Sequence, residues 1–369
     1  MPALSIGGGE PLLISGPDGG GITLLPEGTT ATVAGDGASV EARIGGAGTQ
    51  PATALTVRPA SPTGYVRVNG RDYRGELLVT STPTGVLAVN LVSLEGYVAG
   101  VVNAEMGRRP PGDSQAVFAQ AVISRTVAMR ALGRYRVRGY DLVSTVSDQA
   151  YGGVASETDA GWNAVRVTRG EVLTYGGAVI EAFFHSTCGG RTEAVDAVFS
   201  GAAQPYLQSI NDRAPSGEAY CSISPRFRWQ EEWSGEELSR TLRGNAALAG
   251  LRPEAVASPS DLQVTSRSAT GRAEELVLVA GREPVTISRQ QIIRQVLRTP
   301  DGAWLRSAQF TLQTTRSGSR IVRVVAVGAG AGHGVGMCQW GAVGRARAGA
   351  DYREILDAYF PGTEIRRLF

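Results

Sequence analysis

The chain has 369 residues, 42% hydrophobic and 19% charged, with a formal net charge of +2. That length can bury one large core or two ordinary ones without disulfide or metal staples, and the composition is that of a globular protein. The near-neutral balance, with no block of like charge, excludes a dedicated nucleic-acid binder, and no apolar run approaches the roughly 18 residues needed to span a membrane.

All 36 basic residues are arginine, because no lysine occurs. A chain without lysine can form no Schiff base, no lysine phosphate loop and no Ser-Lys dyad. The first twenty residues, MPALSIGGGEPLLISGPDGG, have neither a basic start nor a long apolar stretch, so no signal peptide is expected within them.

In chain order, residues 1 to about 85 alternate short apolar runs with Gly, Pro and Thr clusters, the pattern of hairpins in a small β-rich module. Residues 73–91 extend it by two strands around a Pro-Thr-Gly turn. Residues 93–102 and 113–132 carry helical signals, with Ser93 and Asp113 as caps, and NAEMGRRPPGD between them reads as a loop. Strands follow at 171–175 and 178–184, a helix near Ser234, hairpins over 261–287 and a helix over 288–297. Residues 310–369 read as strands, a Gly-rich turn at GAGAGHGVGMCQWGA, and one or two helices. No internal repeat is visible. The class is α+β, with mixed sheets and helices forming a substrate cleft, rather than repeated β-α units.

The chain has two histidines, His185 in EAFFHSTCGG and His333 in GAGHGVGMCQWGA, each near a cysteine. A zinc reading gathers His185, Cys188, Cys221 and His333. No C-x-x-C or H-x-x-x-H pair supports it, so no metal and no cofactor are expected. The alternatives for the cysteines are a Cys188–Cys221 disulfide or three buried thiols. Glu105, in VVNAEMGRRPP, is flanked by apolar residues, surroundings that raise a carboxyl pKa and keep it able to donate a proton. Glu181, two and four residues before Phe183 and His185, would share their strand face and offer a second acid.

Taken together, LEGYVAGVVNAEM, AQAVISRTVAMRA, SDQAYGG, EAFFHSTCGGRTE, PYLQSI and GHGVGMCQWGA resemble, in order and spacing, the stage II sporulation protein D (SpoIID/LytB) family. The resemblance runs from about Tyr73 to Phe360. It implies a catalytic domain over 73–369, in two lobes around the cleft, behind a β-rich segment over 1–72. It further implies a lytic transglycosylase that cuts the MurNAc–GlcNAc β-1,4 bond of glycan strands already stripped of peptides, leaving 1,6-anhydroMurNAc, with Glu105 as the catalytic acid/base. Arg125, Gln149, Tyr151, His185, Ser186, Tyr206, His333 and Gln339 are the expected substrate-binding positions. Peptidoglycan strands and a cell-wall amidase are the implied partners, and the cell envelope or periplasm the implied location.

Two positions depart from the family pattern. Phe118 stands where lysine is common, and Ser147 and Asp148 stand where a His-Cys pair often precedes Gln-x-Tyr. That pair contributes a zinc site in some members, so its loss removes the family argument for metal. Two other readings compete with the enzyme: a non-catalytic glycan-binding module that activates an amidase, and a zinc or thiol hydrolase built on His185, Cys188 and His333.

Overall fold

A computed structural model describes residues 3–280 and 283–369, and its helices and mainly antiparallel sheets give an α+β fold. The chain forms two compact units: Met1–Pro111, Gln120–Val172 and Arg366–Phe369 in one, Gly112–Ala119 and Leu173–Ile365 in the other.

The first unit opens with two antiparallel sheets of six and five strands, running from Ala3–Gly7 through Gly85–Leu91. Alternation fixes their inner faces. Leu4 and Ile6 are buried while Ser5 between them is exposed, and they pair with Val33 and Ala31 on the neighbouring strand. In the second sheet Ile14 faces Val57, which faces Leu77. These side chains close one apolar core, where each fully buried Val, Leu or Ile contributes roughly 2 kcal/mol. The expected strands around the Pro-Thr-Gly turn are Glu76–Thr82 and Gly85–Leu91, paired in register.

Helix α1 (Leu94–Met106) starts where expected, with the Ser93 hydroxyl accepting from the Gly96 amide. It runs four residues further than its apolar pattern suggests. Asn103, Ala104, Glu105 and Met106 continue the helix, and the stop is Gly107, at φ 67°, whose amide bonds to the Asn103 carbonyl. Glu105 therefore sits in the last helical turn rather than in a loop. Helix α2 (Ser114–Ala131) follows a 3₁₀ turn at Pro111–Asp113, and Asp113, expected as its cap, accepts from Arg347 with both carboxylate oxygens at 2.7 and 3.1 Å. Helix α3 (Asp159–Val167) is capped by Thr158.

In the second unit, the strand expected over 178–184 is broken into Ala178–Val179 and Phe184–His185. Glu181 falls in the break and is exposed, so it shares no strand face with Phe183 and His185. After the short α4 (Val195–Val198), the strand Arg228–Ser234 leads into α5 (Gly235–Asn245) through a capping box between Ser234 and Glu237. The hairpins over Asp261–Arg267, Ala273–Val279 and Pro284–Ser288 pair antiparallel and are followed by α6 (Gln290–Val296). With Phe310–Ser317 and Arg320–Ala329 they enclose a core around Trp233, Leu238, Leu276 and Val324. The Gly-rich turn leads to the strand Met337–Cys338, then α7 (Gln339–Arg347) and α8 (Tyr352–Tyr359).

Candidate functional site

In the first unit, the Glu105 carboxyl is half-buried, and its Oε1 accepts the Ala150 amide at 2.6 Å. Burial raises its pKa above the ordinary glutamate value, while the single amide bond works in the opposite direction. Its place in the last turn of α1 adds to the rise, because the carbonyl end of a helix repels negative charge. The arrangement favours the neutral, proton-donating carboxyl.

The segment carrying Ala150 is clamped on both sides. Gln149 is buried, and its Nε2 donates to the Tyr97 hydroxyl at 3.3 Å and to the Ser124 carbonyl at 3.2 Å. The Tyr151 hydroxyl donates to Asn90 Oδ1 at 3.0 Å, and its ring leans on those of Tyr97 and Tyr73 at 5.1 and 5.9 Å. The Gly152 amide reaches the Gly100 carbonyl in α1 at 3.2 Å. Only glycine fits there: a Cβ on residue 100 would stand 2.6 Å from the Tyr151 ring. Gln149 and Tyr151, expected to touch substrate, make these contacts on either side of the Ala150 amide that Glu105 accepts. Gln149 Oε1 is buried without a hydrogen-bond partner among the described residues.

Arg125 is committed within the protein. It is fully buried and bidentate to Glu95, at 3.0 and 2.7 Å, and its remaining nitrogen donates to the Glu171 carbonyl at 3.0 Å. Of its two expected roles, binding a substrate and orienting a carboxylate, the geometry provides the second, and the carboxylate is Glu95. Asp148 is likewise committed, to Arg134 at 2.7 Å and the Val143 amide at 2.8 Å.

In the second unit, Phe184–His185 pairs in parallel with Met337–Cys338, which brings the two histidine motifs together with ring centroids 5.5 Å apart. The Gly-rich turn permits this. Gly336 has φ 70°, and a Cβ there would fall 2.0 Å from the Phe183 carbonyl. The network sets the tautomers. Val335 donates its amide to His333 Nδ1 at 3.1 Å, so His333 Nε2 carries the proton and gives it to the Phe184 carbonyl at 2.8 Å. His185 Nδ1 donates to the Val335 carbonyl at 3.1 Å, leaving Nε2 a buried acceptor without a partner among the described residues.

Burial holds both imidazoles neutral, His333 down to about 3 and His185 well below its ordinary value. His333, with both nitrogens on backbone, has only ring surface to offer, against Phe183 and Phe199. Ser186 is half-buried beside His185; Tyr206 is buried against Tyr175, and Gln339 is buried at the start of α7. Phe118 packs edge-on to Tyr352.

Although His185 and Cys338 are paired in the ladder, the cysteine sulfurs gather with a carboxylate rather than with the imidazoles. Cys188, Cys221 and Cys338 are free, buried and gathered with Asp212, a residue that nothing in its local sequence marks. Glu95 and the buried Glu193, which accepts from Ser268 and Thr270, were also not legible as site-shaping acids.

The family model described as stage II sporulation protein matches residues 82–175, and one described as a domain of unknown function (DUF8618) matches residues 218–336. The chain is 32% identical over 300 residues to an uncharacterised protein of Brachyspira hyodysenteriae, covering 81% of this chain and 73% of that one. It is 30% identical over 355 residues to the stage II sporulation protein D of Bacillus subtilis, covering 89% and 87%. It is 27% identical over 288 residues to the amidase enhancer of Bacillus subtilis, covering 68% of this chain and 38% of that protein. Glu105, Gln149 and Tyr151 all fall inside the first family match.

Proposed function

This chain belongs to the stage II sporulation protein D family, and we propose that it is a lytic transglycosylase that cuts the MurNAc–GlcNAc β-1,4 bond of peptide-free peptidoglycan strands, with Glu105 as acid and base. The observation that carries this reading is a half-buried carboxyl at a helix C-terminus whose pKa burial raises and one amide orients.

One carboxyl suffices for this chemistry. Protonated Glu105 gives its proton to the glycosidic oxygen as the bond from MurNAc C1 breaks. The resulting carboxylate takes the proton of the same sugar's C6 hydroxyl as that oxygen bonds to C1, which closes the 1,6-anhydro ring and returns Glu105 to its acid form. The intramolecular hydroxyl replaces the second carboxylate and the water of ordinary glycosidases, and its effective concentration is high because it is already part of the substrate. Such a substrate lies outside the cytoplasmic membrane, so the reading requires action in the cell envelope or periplasm, after an amidase has removed the peptides.

The test is digestion of amidase-treated strands by wild type and Glu105→Gln, with mass spectrometry of the products. Anhydro-ended fragments from wild type alone are expected; uncut strands with both proteins overturn the mechanism. The name of the Bacillus subtilis relative, amidase enhancer, favours one second reading, a non-catalytic glycan-binding activator. Such an activator would speed amidase release of peptides equally as wild type and as Glu105→Gln.

A further inference from the structure

Cys188, Cys221, Cys338 and Asp212 are buried, and their ligand atoms all lie within 4.8 Å of one another. They come from four separate segments: the turn after His185, the loop at Asp212, the 3₁₀ turn Tyr220–Ile223 and the residue capping α7. Cys188 Sγ is 3.5 Å from Cys221 Sγ and 3.2 Å from Asp212 Oδ2. Tetrahedral thiolates bound to zinc at about 2.3 Å stand about 3.8 Å apart, whereas a disulfide needs about 2.05 Å. The spacing matches four ligands around one small ion.

The surrounding donors are those a thiolate site requires. The Cys188 and Gly341 amides donate to Cys338 Sγ at 3.1 and 3.2 Å, and the Gly190 amide donates to Cys188 Sγ at 3.3 Å. Asp212 is oriented from its far side: Oδ1 accepts Arg345 Nε at 3.0 Å and the Tyr359 hydroxyl at 2.8 Å, which leaves Oδ2 facing the sulfurs. Residue 341 has to be glycine for Asp212 to sit there, since a Cβ would fall 2.1 Å from Oδ2. Three thiolates and a carboxylate around a divalent ion leave two negative charges. Arg345 on Asp212 supplies one positive charge, and the buried Arg272, which donates to the Cys188 carbonyl at 2.9 Å, supplies a second that it shares with Glu193 at 3.9 Å.

We propose that Cys188, Cys221, Cys338 and Asp212 form a closed, tetrahedral site for a zinc-class divalent ion. Four protein ligands leave no open position, so its role is structural. The ion ties the two strands that carry His185 and Cys338 to Asp212 and to the Tyr220–Ile223 turn, and so fixes the paired histidine motifs. Neither histidine belongs to the cluster, whose ligand atoms come from Cys188, Cys221, Cys338 and Asp212, and both nitrogens of His333 bond to backbone atoms.

The test needs no glycan and is therefore independent of the proposed cleavage. Wild-type protein is purified without chelators, passed through gel filtration and analysed for metals; zinc at one ion per chain is expected. Exchange for cobalt(II) should give thiolate charge-transfer bands and the strong visible bands of a tetrahedral ion. Asp212→Asn should weaken zinc binding by roughly tenfold or more and alter the cobalt spectrum. Protein that retains no metal and takes up no cobalt, whether its three thiols titrate freely or Cys188 and Cys221 are disulfide-linked, overturns the site. An unchanged affinity and spectrum in Asp212→Asn overturns the fourth ligand.

Discussion

At the scale of the residue, the decisive feature is how little stabilises the charge on Glu105. Burial disfavours the carboxylate, the end of α1 disfavours it further, and only the Ala150 amide favours it. The folded protein therefore holds this proton more tightly than the unfolded chain. The associated stability is fully present below the ordinary value of 4.5 and is lost as the pH rises through the raised folded value. Glu105→Gln cannot lose a proton and its amide oxygen can still accept from Ala150. Its melting temperature should exceed that of wild type at neutral pH, with the gap closing below about pH 4.5; a gap independent of pH would show that the carboxyl titrates normally. Motif and apolar flanks singled out Glu105 in the sequence, but the amide that orients it is a backbone group and leaves no mark in side-chain identity.

At the scale of the element, α1 and α2 are joined by one ion pair with Arg125 fully buried and Glu95 18% exposed. Arg125→Met leaves Glu95 half-desolvated without its partner and the Glu171 carbonyl without a donor. A loss of about 3 kcal/mol in chemical denaturation is expected, most of it recovered in Glu95→Met/Arg125→Met, because removing both charges avoids stranding one. An additive double mutant would show that the pair does not couple the helices. The helices themselves were legible from caps and periodicity. The extent of α1 was not, since Asn103–Met106 break the apolar stripe while remaining compatible with a helix, and Gly107 alone supplies the stop. The break between Val179 and Phe184 was hidden for a related reason: a continuous apolar run states burial, not pairing.

At the scale of the whole molecule, the two proposed sites fall in different compact units, Glu105 in one and the histidine and cysteine clusters in the other. Removal of the proposed ion should accordingly act locally. Hydrogen exchange after chelation should lose protection over Phe184–His185, Met337–Cys338 and α7, with the strands Ala3–Gly7 and Glu76–Thr82 unchanged. Uniform loss across both units would instead mean that the ion supports global stability.

The amino-acid sequence by itself determined what depends on local pattern and on ordered motifs: the α+β class, the Ser93 cap, the helix start near Ser234, the hairpins, the family and Glu105. Only the tertiary structure decided which side chains are already committed. It buried Arg125, Gln149 and Tyr151 against partners within the fold, set the tautomers of His185 and His333, and brought Asp212 to three cysteines as far as 150 residues apart. The physical reason is that a side chain's chemistry depends on its hydrogen-bond partners and burial, and those are contributed by residues distant in the chain.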